Sequence, residues 1–108
     1  MNDDITLYRQ IFPRQCAPLK ALGYQSIMNV RPDGEAPEQP SSAQIAAAAQ
    51  QAGLQYYHLP IEYQHVSAEA VQQFATYYKD APKPIFMCCA TGARAKKLYQ
   101  IACVQGLL

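Results

Sequence analysis

Residues 84–94 read PIFMCCATGAR, and they indicate the fold class of the chain more clearly than any other segment. The apolar run at 84–88 is typical of a buried strand, and Gly92 permits a tight turn after it. A helix is predicted to begin near Ala93, because apolar residues recur from there at helical spacing. These residues are Ala95, Leu98, Tyr99 and Ala102. The stretch therefore predicts a strand that turns directly into a helix, which is typical of α/β folds.

The rest of the chain alternates between strand and helix patterns in the same way. Further strands are predicted at residues 5–9, 26–30 and 54–59. Further helices are predicted at residues 13–22, between Ser41 and Gly53, and between Ser67 and Pro82. This alternation favours an α/β fold with a mostly parallel sheet of four to five strands flanked by helices. Ligands bind such sheets at the carboxyl ends of the strands, where loops are expected at 31–40, 60–66 and 89–93.

The composition excludes several classes of protein. The chain has 108 residues, 50% of them hydrophobic and 16% charged, with a formal net charge of +1. This length and apolar content predict one domain over residues 1–108. The small net charge disfavours an extended nucleic-acid interface, and no apolar run reaches the roughly 18 residues of a membrane span. Because the N-terminus is acidic, unlike a signal peptide, we expect a cytoplasmic protein that binds neither nucleic acid nor membrane.

The cysteines do not form a disulfide or zinc framework. They are Cys16, Cys88, Cys89 and Cys103. Only two of them are close in sequence, and these two are adjacent, whereas zinc ligands are spaced further apart. We therefore expect neither a metal nor another cofactor, and reduced thiols that serve either in packing or as nucleophiles.

Residues 89–94 have the features of an oxyanion-binding loop. The first amides of a helix have no partner within it, and the helix dipole adds positive potential there. The residues predicted to bind the oxyanion are Ala90, Thr91, Gly92, Ala93 and Arg94. The planar donor fork of Arg94 matches a tetrahedral oxyanion, and no acidic residue follows position 80 to oppose this field. A cysteine thiolate held in this loop can attack a bound oxyanion.

Several segments of the chain resemble one superfamily of enzymes. They are LGYQSI at 22–27, NVRPDGE at 29–35, AGL at 52–54, HLPI at 58–61 and the Cys-x-x-Gly-x-Arg loop at 89–94. Together they resemble the cysteine-dependent phosphatases of the tyrosine and dual-specificity superfamily, and most of all its small bacterial branch named beta-lactamase hydrolase-like. The resemblance implies a dual-specificity-phosphatase-like fold and hydrolysis of phosphate monoesters through a phosphocysteine. It also implies that the loop amides and Arg94 bind the phosphoryl oxygens, and that an acid from another loop protonates the leaving group.

Two adjacent cysteines are candidates for the nucleophile. Five residues separate Cys88 from Arg94, and four separate Cys89 from Arg94. We assign Cys89 as the catalytic cysteine, because it stands three positions before Gly92 as in the branch that the chain resembles. Cys88 still belongs to the strand and is expected to point into packing. The shorter spacing also resembles that of rhodanese sulfurtransferases, and Ala95 stands where many of these phosphatases have a serine or threonine.

The acid that protonates the leaving group is expected in residues 61–65. In the resemblance these residues correspond to the family's aspartate loop, but they contain no aspartate. Glu62 is the first catalytic candidate, because a carboxylic acid partly withdrawn from water can donate a proton. His65 is the second candidate. Asp33, at the rim of the predicted site, is the third, because its loop opens toward the same strand ends.

Three functions remain open at this point. The first is a phosphatase acting on a phosphorylated protein or a small-molecule phosphate ester. The second is a rhodanese-like sulfurtransferase that uses a cysteine persulfide, and the third is a non-catalytic phosphate-binding module. Glu62 favours hydrolysis, because sulfur transfer from thiosulfate does not need an acid. The chain ends one helix after the loop, where the family usually continues, so we also expect exposed apolar surface that a homodimer would cover.

Overall fold

The computed structural model describes residues 4–62 and 65–108. Within them, four strands form one sheet: β1 (Ile5–Tyr8), β2 (Ser26–Asn29), β3 (Gln55–His58) and β4 (Ile85–Cys88). The α-helices of the same residues are α1 (Cys16–Ala21), α2 (Ser42–Ala52), α3 (Ala68–Asp80) and α4 (Ala93–Val104). A 3-10 helix at Pro13–Gln15 precedes α1. None of these described helices is long and apolar enough to cross a membrane.

The strands are parallel and lie in the order β1-β4-β2-β3. Their register aligns the carboxyl ends, because Tyr8 pairs with Cys88, Cys88 with Asn29, and Asn29 with His58. The last residues of all four strands therefore lie in one row. The loops that follow them emerge together at one edge of the sheet, which confirms the predicted α/β architecture.

Successive side chains of β4 enter two different cores. Ile85 and Met87 belong to the core that includes residues of α3 and α4, whereas Phe86 and Cys88 belong to the core that includes residues of α1 and α2. All four residues of β4 are buried, as expected for a central strand with helices on both faces. Because a strand has a period of two residues, Cys89 returns to the first core.

Capping residues set the ends of α2 and α3. Ser41 Oγ accepts a hydrogen bond from the Gln44 amide at 3.1 Å, and Gln44 Oε1 accepts one from the Ser41 amide at 2.9 Å. This reciprocal pair is a capping box at the start of α2. Gly53 ends α2 in the left-handed conformation, with a φ of 84°. Ser67 starts α3, where its Oγ accepts from the Ala70 amide at 3.0 Å.

The predicted helix at residues 13–22 is divided in the structure. Pro13–Gln15 form a 3-10 turn, and the α-helix begins only at Cys16. Pro18 has no amide hydrogen to donate to a carbonyl four residues earlier, so it fits only in the first turn of an α-helix. The α-helix therefore starts near Pro18, and the preceding residues form a tighter turn.

Candidate active site

The loop between β4 and α4 is held against the end of β1. The Cys89 amide donates to the Tyr8 carbonyl at 3.3 Å, and the Gln10 amide donates to the Ala90 carbonyl at 3.2 Å. Gly92 adopts a left-handed conformation with a φ of 96°, and a Cβ there would lie 3.4 Å from the Tyr8 carbonyl oxygen. Both the turn and its close approach to β1 therefore favour glycine at this position.

The Cys89 thiol lies inside this loop. The residue is 1% exposed, and its Sγ accepts a hydrogen bond from the Gly92 amide at 3.0 Å. Gly92 is the N-cap of α4, so the sulfur also lies near the positive end of the helix dipole. The Gly92 amide and the N-terminus of α4 therefore both face the Cys89 sulfur. Thr91 supports the turn, because its Oγ1 accepts from the Ala93 amide at 3.3 Å.

The neighbouring Cys88 faces the opposite core and has a different environment. It is fully buried, and its Sγ lies 4.0 Å from Asn29 Oδ1. Burial, together with the nearby thiols of Cys89 and Cys16, raises the pKa of Cys88 to about 12. The Cys88 thiol therefore stays protonated at neutral pH and is poorly suited to act as a nucleophile.

Arg94 projects from the first turn of α4 into the protein interior. The residue is 5% exposed. Its Nη1 and Nη2 donate to Oε2 and Oε1 of Glu35, both at 2.8 Å, which makes a bidentate ion pair. Nη1 also donates to the Ile61 carbonyl at 3.0 Å. Arg94 thus connects the β4–α4 loop to the loops that follow β2 and β3.

Glu35 is the site residue that the sequence interpretation missed. The hydrogen bond from Arg94, aided by one from Arg31, lowers the pKa of Glu35 to about 2. The hydrogen bond with Glu35 in turn raises the pKa of Arg94. The sequence predicted that no acidic residue opposes the positive field of the β4–α4 loop. In the structure, the β2–α2 loop contributes the Glu35 carboxylate, which binds Arg94. The sequence feature that could have identified Glu35 is its position in the loop after β2, since the end of β2 lies at the same edge of the sheet as Cys89.

Arg31 extends the ion pair away from the loop. Its Nε donates to Glu35 Oε1 and its Nη1 donates to Gln10 Oε1, both at 2.9 Å. The backbone of Arg31 is also fixed, because its amide donates to Asn29 Oδ1 at 3.0 Å and its carbonyl lies 2.9 Å from His58 Nε2. A continuous series of polar contacts therefore joins the segment after β1, the β2–α2 loop and Arg94.

The first two candidate acids lie in the loop after β3. Glu62 is exposed and follows Ile61, whose carbonyl accepts from Arg94. His65 is also exposed, and its amide donates to the Glu62 carbonyl at 3.3 Å. Residues 63 and 64, which the sequence interpretation also assigns to this loop, lie outside the described residues. The Arg94 contact therefore anchors this loop next to Glu62.

Asp33, the third candidate acid, lies at the start of α2. Its Oδ1 accepts a hydrogen bond from the Ser42 amide at 2.7 Å. This contact satisfies one of the helix amides that lack a partner within the helix. The hydrogen bond of Asp33 is thus made to α2 and not to the loop that carries Cys89.

An open groove of about 530 Å³ lies beside this loop, on the side of β1. Its lining residues are Leu7, Tyr8, Arg9, Thr91, Gly92, Ala93 and Lys96. The charged residues of this lining, Arg9 and Lys96, are both basic, and the Arg9 guanidinium lies 5.5 Å from the centre of the Tyr8 ring. The groove therefore offers aromatic and cationic surface next to the loop. In the part of the chain that the structure describes, no group of three His, Cys, Asp or Glu side chains could hold a metal ion.

Known proteins share the sequence pattern of the whole chain. The family profile "Beta-lactamase hydrolase-like protein, phosphatase-like domain" matches residues 1–106. The beta-lactamase hydrolase-like protein of Agrobacterium fabrum is 34% identical over 99 residues, which cover 92% of this chain and 23% of that protein. The chain therefore spans less than a quarter of the length of this relative.

Solved structures share the fold. A phosphatase-like protein from Neisseria meningitidis is 27% identical and superposes with a TM-score of 0.84, covering 91% of this chain and 70% of that one. Pseudomonas aeruginosa TpbA, solved in complex with phosphotyrosine, is 17% identical with a TM-score of 0.62, covering 85% of this chain and 52% of that one. At that identity the likeness to TpbA shows the fold alone. These similarities confirm the predicted dual-specificity-phosphatase-like fold.

Proposed function

The chain belongs to the phosphatase-like domain family of beta-lactamase hydrolase-like proteins, and from that premise we propose that it hydrolyses phosphate monoesters with Cys89 as nucleophile. One observation carries the proposal: the Cys89 sulfur lies 3.0 Å from the Gly92 amide at the start of α4. Arg94, which is buried, follows Gly92 by two residues in the sequence. An oxyanion bound here meets backbone amides, a guanidinium and a sulfur nucleophile in one place.

The proposed reaction has two steps at Cys89. In the first, the thiolate attacks phosphorus, an S–P bond forms, and the P–O bond to the leaving group breaks. The leaving oxygen takes a proton from the general acid. In the second, water attacks the phosphocysteine and gives a proton to the same carboxylate or imidazole, and the S–P bond breaks to release phosphate and the thiolate. The loop amides and Arg94 stabilise the charge on the phosphoryl oxygens in both steps.

Glu62 is the proposed general acid. It follows Ile61, and the hydrogen bond from Arg94 to the Ile61 carbonyl anchors this part of the loop beside the phosphate-binding residues. His65 is the alternative acid, and its amide donates to the Glu62 carbonyl at 3.3 Å. Either group would protonate the leaving oxygen while Cys89 is ionised.

The proposed substrates are phosphorylated proteins or small phosphate esters. The groove beside the loop carries the Tyr8 ring and the positive charges of Arg9 and Lys96. Such a surface suits an aromatic or acidic portion next to the phosphoryl group. The phosphotyrosine bound by TpbA is an ester of this kind, which supports an aryl phosphate as the first substrate to assay.

Sulfur transfer is the second candidate function, because four residues separate Cys89 from Arg94. In that reaction the thiolate attacks the outer sulfur of thiosulfate, the S–S bond breaks, sulfite leaves, and the Cys89 persulfide passes its sulfur to cyanide. The test compares initial rates of aryl phosphate hydrolysis with thiosulfate consumption in the presence of cyanide. Faster phosphate hydrolysis supports the proposal, and faster thiosulfate consumption replaces it with sulfur transfer. A chain that binds phosphate but turns over neither substrate is a phosphate-binding module.

A further inference from the structure

We infer that the groove beside β1 binds an extended, acidic segment of a phosphorylated protein. The segment pairs with the outer edge of β1, the side away from β4, and its acidic side chains meet Arg9 and Lys96. The inference rests on the proposed function and deepens it, because it names the class of substrate that the site selects. It concerns the part of the substrate next to the phosphorylated residue and assigns no further catalytic group.

β1 is an edge strand, because the order β1-β4-β2-β3 gives it a neighbour on one side only. The Tyr8 carbonyl faces that neighbour and accepts from the Cys89 amide at 3.3 Å. The backbone groups of successive strand residues point to alternate sides, so those of Leu7 and Arg9 face away from β4. In the described part of the chain, no strand lies on that side. An extended peptide can pair with such an edge through main-chain hydrogen bonds.

The groove of about 530 Å³ runs along this edge of β1. Three consecutive residues line it on that side: Leu7, Tyr8 and Arg9. Successive side chains of a strand point to opposite faces of the sheet, so a groove over one face would not be lined by all three. The other lining residues are Thr91, Gly92, Ala93 and Lys96. The edge of β1 and the loop that surrounds Cys89 therefore share one groove, and a segment bound in it lies next to the proposed phosphate site.

The positive charges of the groove are available to a ligand. Arg9 and Lys96 are both exposed. Among the described residues the side-chain ion pairs are made by Glu35, and neither Arg9 nor Lys96 takes part in one. The Arg9 guanidinium lies 5.5 Å from the centre of the Tyr8 ring, and this cation–π contact holds it at the groove. Two such charges attract acidic side chains to the edge of β1.

The distribution of charge around the site gives the bound segment a direction. Asp33 and Glu35 lie in the loop after β2, and Glu62 follows β3. Arg9 follows β1, and β1 and β3 are the two opposite edges of the described sheet. An acidic segment is therefore steered to the β1 side of the site and away from the loops after β2 and β3. This orientation leaves the β3 side of the phosphoryl group open to Glu62, the proposed general acid.

The first test compares two phosphotyrosine peptides of equal length, one with glutamates beside the phosphotyrosine and one with glutamines. Their kcat/KM values are measured with the wild type, Arg9→Gln, Lys96→Gln and the matched control Lys97→Gln, which removes an exposed lysine of α4 that does not line the groove. We expect the wild type to prefer the glutamate peptide roughly 5–10-fold at low ionic strength and less in high salt, because exposed charge pairs are individually weak and screened. This preference should fall in Arg9→Gln and Lys96→Gln and persist in Lys97→Gln.

The second test measures binding without turnover, in Cys89→Ser. The affinities of the two labelled peptides are obtained from fluorescence anisotropy, with and without the Arg9→Gln change. Amide hydrogen exchange followed by NMR then reports on the edge of β1. When the glutamate peptide is bound, the Leu7 and Arg9 amides should exchange more slowly, because they pair with the peptide backbone. The Tyr8 amide, which faces β4, should change little and serves as the internal control.

The outcomes separate this inference from the proposed function. Tighter, Arg9-dependent binding of the glutamate peptide by a chain that hydrolyses no phosphate ester overturns the function and retains the inference. Equal binding of the two peptides overturns the inference whatever the activity, and leaves Arg9 as a charge that only protects the strand edge from pairing. Unchanged exchange of the Leu7 and Arg9 amides overturns it as well. So does an Arg9-dependent preference for a small phosphate ester with a second anionic group over both peptides.

Discussion

Cys88 and Cys89 show how one step along a strand changes the chemistry of a thiol. Cys88 is buried in the core next to Asn29, and burial raises its pKa to about 12. The Cys89 sulfur instead accepts a hydrogen bond from the Gly92 amide. The two-residue period of a strand sends these neighbouring side chains to opposite faces. The sequence assigns the nucleophile to Cys89 because of its spacing to Gly92 and because Cys88 still belongs to the strand, and this role of Cys89 stays a prediction.

Replacing Arg94 tests the oxyanion site. Arg94→Lys keeps a positive charge but cannot bind two oxygens in one plane, either of Glu35 or of a phosphoryl group. Removing such a preorganised donor typically costs about 10²–10³ in rate, and we expect that loss in kcat on an aryl phosphate, with weaker vanadate binding. A lysine variant with unchanged vanadate affinity and activity would remove Arg94 from the site.

The ion pair with Glu35 predicts how stability depends on pH. Because the pKa of Glu35 is lowered to about 2 in the folded chain, from an ordinary value of about 4.3, its contribution is complete above that ordinary value. This contribution is lost as the pH falls toward 2. Melting temperatures of the wild type and Glu35→Gln should therefore differ at pH 7 and converge between about pH 4.5 and 2. A difference that stays constant over this range would show that the Glu35 charge adds no stability.

At the scale of helices, strands and loops, the sequence predicts what local patterns control. The capping box at Ser41 and the strand at Ile85–Cys88 follow from spacing and apolar content. The division of the first helix follows from Pro18, whose effect the periodicity alone did not reveal. Glu35 was missed because its partner Arg94 is 59 residues away in sequence, and no local pattern specifies a contact of that range.

The prediction about the general acid concerns Glu62 and His65, in the loop after β3. If Glu62 is protonated while Cys89 is ionised, the pH profile of kcat/KM should be bell-shaped for an ester with a poor leaving group. Glu62→Gln should remove the descending alkaline limb and cost roughly 10²–10⁴-fold, with a much smaller loss for an activated ester. If only His65→Ala has this effect, the acid is His65.

For the whole molecule, alternation of strands and helices predicts a parallel sheet but not its strand order. The order β1-β4-β2-β3 places the apolar strand that precedes Cys89 at an interior position, next to β2 and β1. This order depends on which strand edges pair through hydrogen bonds, and each strand here has only four residues. The predicted cytoplasmic location, the single domain and the homodimer stay predictions.

Aryl phosphate turnover by two matched variants, Cys89→Ser and Cys88→Ser, tests whether Cys89 is the nucleophile. Both replace a buried thiol by a hydroxyl, and the two positions are adjacent in sequence. Because only the Cys89 sulfur lies at the start of α4, Cys89→Ser should abolish turnover and Cys88→Ser should retain most of it. Turnover that survives in Cys89→Ser and is lost in Cys88→Ser would contradict the assignment of the nucleophile and of the loop that surrounds it.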